Sequence, residues 1–148
     1  MIARKLRTYA CLSPRERRLA IGAIFLVALV RLALWVLPFR TLQRYCEGLS
    51  RRQPAATAET REIVWALRLA SRYVPCSTCL VQSLAAQILL ARHGLESQVH
   101  IGVARDEERG FRAHAWVKSQ GRVIVGDLEE LGQFAPMMVL DRDLSKHN

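Results

Sequence analysis

The apolar positions of this chain fall into blocks that predict helices first and strands afterwards. The first predicted helix begins after Ser13, a good N-cap residue, and Glu16 is placed to close a capping box with it. Residues 19–37 are then apolar except for Arg31, and Pro38 ends the run. The pattern predicts a long apolar helix that begins after Ser13 and ends before Pro38.

Two shorter helices are predicted after a loop of small and polar residues at 48–58. Apolar residues at helical spacing indicate a helix from about Glu59 to Tyr73, which Pro75 ends. The next helix runs from Cys79 to about His93, and Gly94 supplies its C-terminal cap.

The second half of the chain has the pattern of strands. Residues 97–104 predict a strand, and 105–110 a charged turn. Two β-branched or apolar runs within 112–127 are separated by Gln120-Gly121, which predicts a hairpin with a two-residue turn. Residues 128–148 have no regular pattern and are predicted to be irregular.

The predicted hairpin brings a histidine and an aspartate together. In an unbroken register about that turn, His114 faces Asp127 and Trp116 faces Val125. Directly opposed residues have Cβ atoms about 4.5–5.5 Å apart, close enough for a carboxylate to bind an imidazole. We therefore expect Asp127 to orient His114.

Cys79 is the candidate nucleophile. Thr78 can cap the helix, which leaves Cys79 in its first turn. Unpaired backbone N–H groups and the positive end of the helix dipole favour a thiolate there, and the same groups can stabilise an oxyanion. A thiol, a base and a residue that orients the base are the minimum requirement for covalent acyl chemistry.

Other roles for these residues stay open at this point. Cys79 could be an ordinary buried cysteine, and Cys76 and Cys79 also form a C-x-x-C pair. A redox pair of that form normally follows a strand, whereas this one follows a predicted helix. A zinc site would need two further ligands from the histidines, without the usual spacing. Neither a metal nor a cofactor is predicted, and the remaining cysteines are interpreted as packing residues: Cys11 and Cys46.

Positive charge is concentrated in the first half of the chain. The 148 residues include 22 basic and 13 acidic side chains. Residues 1–75 hold 14 basic and 4 acidic side chains, whereas residues 76–148 hold 8 basic and 9 acidic ones. This excess suits an anionic membrane surface or an acidic partner, or is simply a solvated surface. No nucleic-acid-binding motif accompanies it, so no nucleic-acid partner is expected.

The expected location is cytoplasmic, with membrane association as an option. The cysteines do not form a secreted disulfide framework, and no cleavable secretory signal is recognisable. The long apolar helix could span a bilayer, but Arg31 would cost about 2.5–3.5 kcal/mol near its centre. A helix buried against the domain or a partner is favoured.

The motifs resemble those of a known family. The run CLVQSLAAQILLARHGLESQVHIGVARD, followed by GFRAHAWV and GRVIVGD, resembles the transglutaminase-like B2 proteins of bacterial lasso-peptide biosynthesis. The likeness is close over residues 72–136, and the earlier RLALWVLPFRTL is also similar to that family.

The resemblance implies an α+β fold of the papain and transglutaminase type, in which a helix that begins at the nucleophile packs on a small antiparallel sheet. It implies a peptidase that removes the leader of a precursor peptide, with Cys79 as nucleophile, His114 as base and Asp127 as its orienting residue. Its partners would be that precursor, a separate leader-recognition protein and an ATP-dependent cyclase. On this interpretation residues 1–57 are a basic, apolar arm and linker, and 58–148 the peptidase domain.

Two other functions remain compatible with the residues. One is acyl transfer to an amine instead of water. The other is a non-catalytic scaffold that docks the maturation partners at the membrane through the basic, apolar first half.

Overall fold

In the described part of the chain one helix lies between two other long helices and a four-stranded antiparallel sheet, which is an α+β fold. The computed structural model describes residues 13–42, 44, 58–106, 110–126 and 131–142. The helices are α1 (Pro14–Val36), α2 (Thr60–Tyr73) and α3 (Cys79–Arg92). The strands are β1 (Ser97–Asp106), β2 (Gly110–Ser119), β3 (Arg122–Val125) and β4 (Ala135–Arg142), with a 3₁₀ turn at Leu131–Gln133 before β4.

Local capping signals begin and end the helices where the sequence predicts. Ser13 Oγ accepts from the Glu16 N–H at 3.2 Å, and Glu16 accepts from the Ser13 N–H at 2.8 Å. That second bond is the main reason why the pKa of Glu16 is lowered. At the end of α3, Gly94 has φ 74° and the Leu95 N–H donates to the Leu90 carbonyl at 2.9 Å. These are a capping box and a Schellman motif.

Helix α1 packs side by side with α2. Its residues Ala23, Val27 and Val30 are buried in the same hydrophobic core as residues of α2 and α3. By length and composition α1 is long and apolar enough to cross a membrane, a property that core helices and signal sequences share. The boundary expected near residue 57 falls outside the described residues, whereas α1 belongs to the core of the domain.

Helix α3 is the centre of the fold. Every residue from 83 to 91 is buried, because α1 and α2 cover one side and the sheet covers the other. The sheet face that packs on the helices carries Val99, Val117 and Leu140. The Gln87 amide also donates to the Leu140 carbonyl at 3.1 Å, which ties α3 to β4.

The strand order is β3-β2-β1-β4, and all three pairings are antiparallel. The predicted two-residue turn between β2 and β3 is present. Gln120 and Gly121 both have positive φ, 50° and 76°, as a type I′ turn requires.

The predicted register of the hairpin is wrong beyond the first two pairs. Ser119 faces Arg122 and Lys118 faces Val123 as expected, but a bulge follows and Val125 faces Val117 instead of Trp116. The extra residue is Ile124, and both Ile124 and Val125 pack against the core. A regular strand alternates its side chains between two faces, so it cannot pack two consecutive residues on one core. The bulge allows both apolar side chains to do so.

The prediction that residues 128–148 are irregular is wrong for 135–142, which form β4. This strand pairs with β1 at the edge of the sheet, with a bulge between Ile101 and Gly102. Pro136 obscured the signal, although an edge strand tolerates a proline.

Candidate functional site

Cys79 is the first residue of α3, as predicted. Thr78 is the N-cap, and its hydroxyl accepts from the Val81 N–H at 3.4 Å. The Gln82 N–H bonds the Thr78 carbonyl at 3.0 Å, so the Cys79 and Leu80 N–H groups have no intrahelical acceptor. A half-buried thiol therefore lies beside backbone donors at the positive end of a buried helix.

Two side chains hold the loop that precedes Cys79. The Arg31 guanidinium of α1 donates to the Cys76 carbonyl at 2.7 Å, and the Gln82 amide donates to the Ser77 carbonyl at 2.9 Å. Cys76 itself has φ 54°, a left-handed conformation that residues other than glycine rarely adopt. Consecutive carbonyls that accept from two different helices fix this unusual backbone.

His114 lies in β2, and its ring is oriented by the backbone of the residue after β3. Its Nε2 is 2.8 Å from the Gly126 carbonyl oxygen. Because a carbonyl oxygen only accepts, Nε2 carries the proton in this bond and Nδ1 is left with the lone pair. A half-buried imidazole in this tautomer can act as a base through Nδ1.

An aromatic cluster surrounds the His114 ring. Trp116 lies between His114 and His100, with ring centroids at 6.1 and 5.5 Å and nearly parallel planes. Phe134, just before β4, contacts both His114 and Trp116 at centroid distances of 5.5 and 6.5 Å. The Arg112 guanidinium lies over Phe134 at 5.8 Å from its centroid. These contacts restrict the imidazole to a narrow range of orientations.

At two glycines next to this cluster, a side chain would clash with the Trp116 ring or with neighbouring backbone. A Cβ on Gly102 would lie 2.9 Å from the Trp116 ring, so only glycine lets the indole cross β1 there. Gly126 has φ 78°, and a Cβ on it would lie 2.6 Å from the Ala115 carbonyl oxygen. The acceptor for His114 is therefore presented by a residue that has to be glycine.

The thiol and the imidazole belong to different faces of the sheet and share no hydrogen bond. Helix α3 packs on the face that carries Val117, whereas side chains alternate along β2, so His114 and Trp116 project from the other face. The two groups come from the same end of the sheet, since α3 runs back along β1 from a short connection at 93–96. The structure thus orients each group separately.

Asp127 lies outside the described residues, and its predicted role stays a prediction. It directly follows Gly126, the residue that contacts His114. The bulge removes the register on which the opposition of His114 and Asp127 was predicted. In the described residues the His114 imidazole bonds a backbone carbonyl instead, that of Gly126.

Sequence reasoning missed three residues that support the site: Arg31, Gln82 and Gly126. Arg31 was interpreted only as a charge in an apolar helix. Because such a charge requires a partner, its isolation was a signal that it binds a distant group. Gln82 and Gly126 had weaker signals, a polar residue in an apolar helix and a glycine that ends a strand.

The C-x-x-C interpretation gains little support. Cys76 is exposed in the left-handed turn and Cys79 is half-buried at the helix start, and both are free thiols. Cys11, Cys46 and His147 lie outside the described residues. His93 is the C-cap of α3, at the opposite end of the helix from Cys79.

Comparison with known families identifies the class of protein. The family model of the transglutaminase-like superfamily matches residues 23–139. This range includes α2 and α3, which flank the loop before Cys79, and the whole β2–β3 hairpin. The chain belongs to the transglutaminase-like superfamily. Comparisons with curated proteins and with solved structures found no match. The superfamily is typically cysteine-dependent and includes cysteine proteases and acyl transferases.

Substitution of Gly126 tests the backbone contact with His114. We expect Gly126→Ala to destabilise the protein by about 1–2 kcal/mol from the positive φ, and by about 1–3 kcal/mol more from the clash with Ala115. Urea unfolding measures the loss, and nitrogen NMR of the imidazole reports whether Nε2 keeps its proton.

Gly121→Ala is the matched control, since Gly121 has nearly the same φ and open space around its Cβ position. It should cost only the backbone strain and leave the His114 spectrum unchanged. Equal unfolding free energies for the two variants, with an unchanged imidazole in both, would contradict the contact.

Substitution of Arg31 tests how the loop before Cys79 is held. We expect Arg31→Met to raise amide hydrogen exchange at residues 76–80 by at least about fivefold, because a hydrogen bond from a charged group contributes about 1.5–3 kcal/mol. Arg68→Met, at an exposed position of α2, is the control and should leave exchange unchanged. Equal protection of the loop in both variants would show that Arg31 has no such role.

Proposed function

We propose that this protein is a cysteine peptidase that removes the leader from a ribosomally made lasso-peptide precursor. The observation that carries the proposal is the position of Cys79 as first residue of a capped, buried helix in a superfamily of cysteine-dependent enzymes. The resemblance of the motifs around Cys79 and His114 to leader peptidases supplies the substrate class.

In the first step Nδ1 of His114 accepts the proton of the Cys79 thiol, and the resulting thiolate attacks the scissile carbonyl carbon. A sulfur–carbon bond forms, and the carbonyl oxygen takes the negative charge of a tetrahedral intermediate. The Cys79 and Leu80 N–H groups at the start of α3 are suited to bind that oxyanion, since the helix leaves them without acceptors. The nucleophile and its stabilising donors thus come from one turn of helix.

In the second step His114 donates a proton to the leaving amine, and the peptide bond breaks. A thioester remains on Cys79. His114 then takes a proton from water, which attacks the thioester and releases the new carboxylate. Asp127 would stabilise the imidazolium, in addition to the Gly126 carbonyl that holds Nε2.

The mechanism requires Nδ1 of His114 and Sγ of Cys79 to approach within about 3–4 Å. Catalytic contacts are often looser in ligand-free sites and tighten when substrate binds. The free lone pair on Nδ1 is the correct one for this approach, because Nε2 is already engaged. Because His114 projects from the sheet face away from α3, the proposal requires the start of α3 and the His114 ring to meet around the shared end of the sheet when the peptide binds.

The same chemistry permits acyl transfer. If an amine replaces water in the last step, the product is a new amide, as the acyl transferases of the superfamily would form. We favour hydrolysis because of the sequence resemblance to leader peptidases. In that role the partners are the precursor, a leader-recognition protein and an ATP-dependent cyclase that acts on the freed core.

Incubation of the purified chain with precursor and recognition protein tests the proposal. Mass spectrometry should find the leader with a free carboxylate; a leader that carries an added amine would identify acyl transfer instead. Cys79→Ala and His114→Ala should reduce cleavage to background, because neither attack nor protonation can proceed. Asp127→Asn should lower kcat by at least about tenfold with KM nearly unchanged, since its role is to orient the base.

Cys76→Ala is the matched thiol control and should retain cleavage. Cleavage by Cys79→Ala at the wild-type rate would refute the nucleophile, and loss of cleavage in Cys76→Ala alone would point to the C-x-x-C pair. If pathway output depends on residues 1–38 and survives Cys79→Ala, the scaffold function is the correct one.

A further inference from the structure

The long helix α1 has an exposed apolar stripe along one side. It consists of residues spaced by three or four positions: Ile21, Phe25, Leu29, Leu32, Trp35 and Val36. Phe25 is 71% and Trp35 88% exposed. The opposite side of α1 is buried against α2 and α3. A continuous apolar stripe of this kind is typical of an interaction surface.

The stripe carries no charge along its length. Between residues 19 and 37 Arg31 is the one charged residue, and it turns away from the stripe to donate to the Cys76 carbonyl. The 19 residues of this run extend for about 28 Å at 1.5 Å per residue. Arg31, the charge that would disfavour contact with lipid, is therefore hydrogen-bonded to the protein itself.

Arginines flank both ends of the stripe. Arg15, Arg17 and Arg18 lie in the first turns of α1, and Arg40 and Arg44 follow its end. At the first end a cavity of about 630 Å³ is lined both by apolar residues, which include Leu19 and Leu89, and by arginines: Arg15, Arg18 and Arg92. An apolar stripe between basic ends is complementary to an anionic bilayer surface, where acyl chains lie beneath phosphate groups.

We propose that α1 docks this protein on an anionic phospholipid membrane, with the stripe in the interface and the helix parallel to the surface. Trp35 at one end is suited to the headgroup level. This role is independent of the peptidase chemistry. It also places the nucleophile close to the membrane, because Arg31 ties α1 to the Cys76 loop.

The packing of α2 argues against a spanning orientation. The two helices run in the same direction, since Arg15 pairs with Glu62 near their starts at 3.4 Å, and Arg31 in the last part of α1 reaches Cys76, just beyond the end of α2. Insertion of α1 across a bilayer would carry the exposed arginines of α2 into hydrocarbon: Arg61, Arg68 and Arg72. Charged side chains at that depth are strongly disfavoured.

Sedimentation of the full chain with vesicles tests the proposal without any need for enzymatic activity. We expect at least about tenfold stronger binding to phosphatidylcholine vesicles that contain phosphatidylglycerol than to phosphatidylcholine alone, and weaker binding at high salt. The double variant Phe25→Gln/Leu32→Gln should bind at least about tenfold more weakly, because two apolar side chains no longer enter the interface. High salt with alkaline carbonate should release the bound protein.

The matched control is Phe111→Gln/Met137→Gln, which removes two exposed apolar side chains from the sheet. It should bind like the wild type, and circular dichroism should show that both double variants are folded. Cys79→Ala should also bind normally, so failure of the peptidase proposal leaves this one standing.

Three results would overturn membrane docking. They are no binding of wild type to anionic vesicles, equal binding by the stripe variant, and a wild-type dimer in solution that the stripe variant converts to monomer. The last would assign the stripe to a second copy of the chain. Resistance to carbonate would refute the parallel orientation.

Discussion

The start of α3 is the constraint on which the rest of the structure depends. Its backbone is fixed by the Thr78 cap, by Arg31 from α1 and by Gln82 from α3 itself. The body of the helix is buried between two helices and a sheet, so its first residue has little freedom to move. The backbone that carries the Cys79 thiol is therefore held in one position, with unpaired N–H donors beside it.

The second half of the site depends on a different layer of the fold. The sheet face away from α3 carries the stacked rings of His100, Trp116 and His114, and Phe134 contacts the last two. Gly126 provides the acceptor that selects the tautomer of His114. The helix layer thus positions Cys79, the proposed nucleophile, and the outer sheet layer positions His114, the proposed base; in the proposed mechanism substrate joins them at the shared end of the sheet.

Local signals could be predicted from the sequence, whereas contacts between distant segments could not. The Ser13 and Thr78 caps and the Gln120-Gly121 turn each depend on a few neighbouring residues, and all three are confirmed. The hairpin register failed because the bulge at Ile124 depends on how the core is filled. The contact of Arg31 with Cys76 joins residues 45 positions apart, which no local pattern encodes.

The central claim is that His114 activates the thiol of Cys79, and alkylation measures it most directly. Iodoacetamide treatment of the full chain at pH 7, followed by peptide mass analysis, gives separate rates for Cys79 and for the exposed Cys76 as an internal reference. We predict that Cys79 reacts at least about tenfold faster than Cys76 and that His114→Gln removes this advantage. Equal rates for the two thiols, or a Cys79 rate that His114→Gln leaves unchanged, would contradict the account.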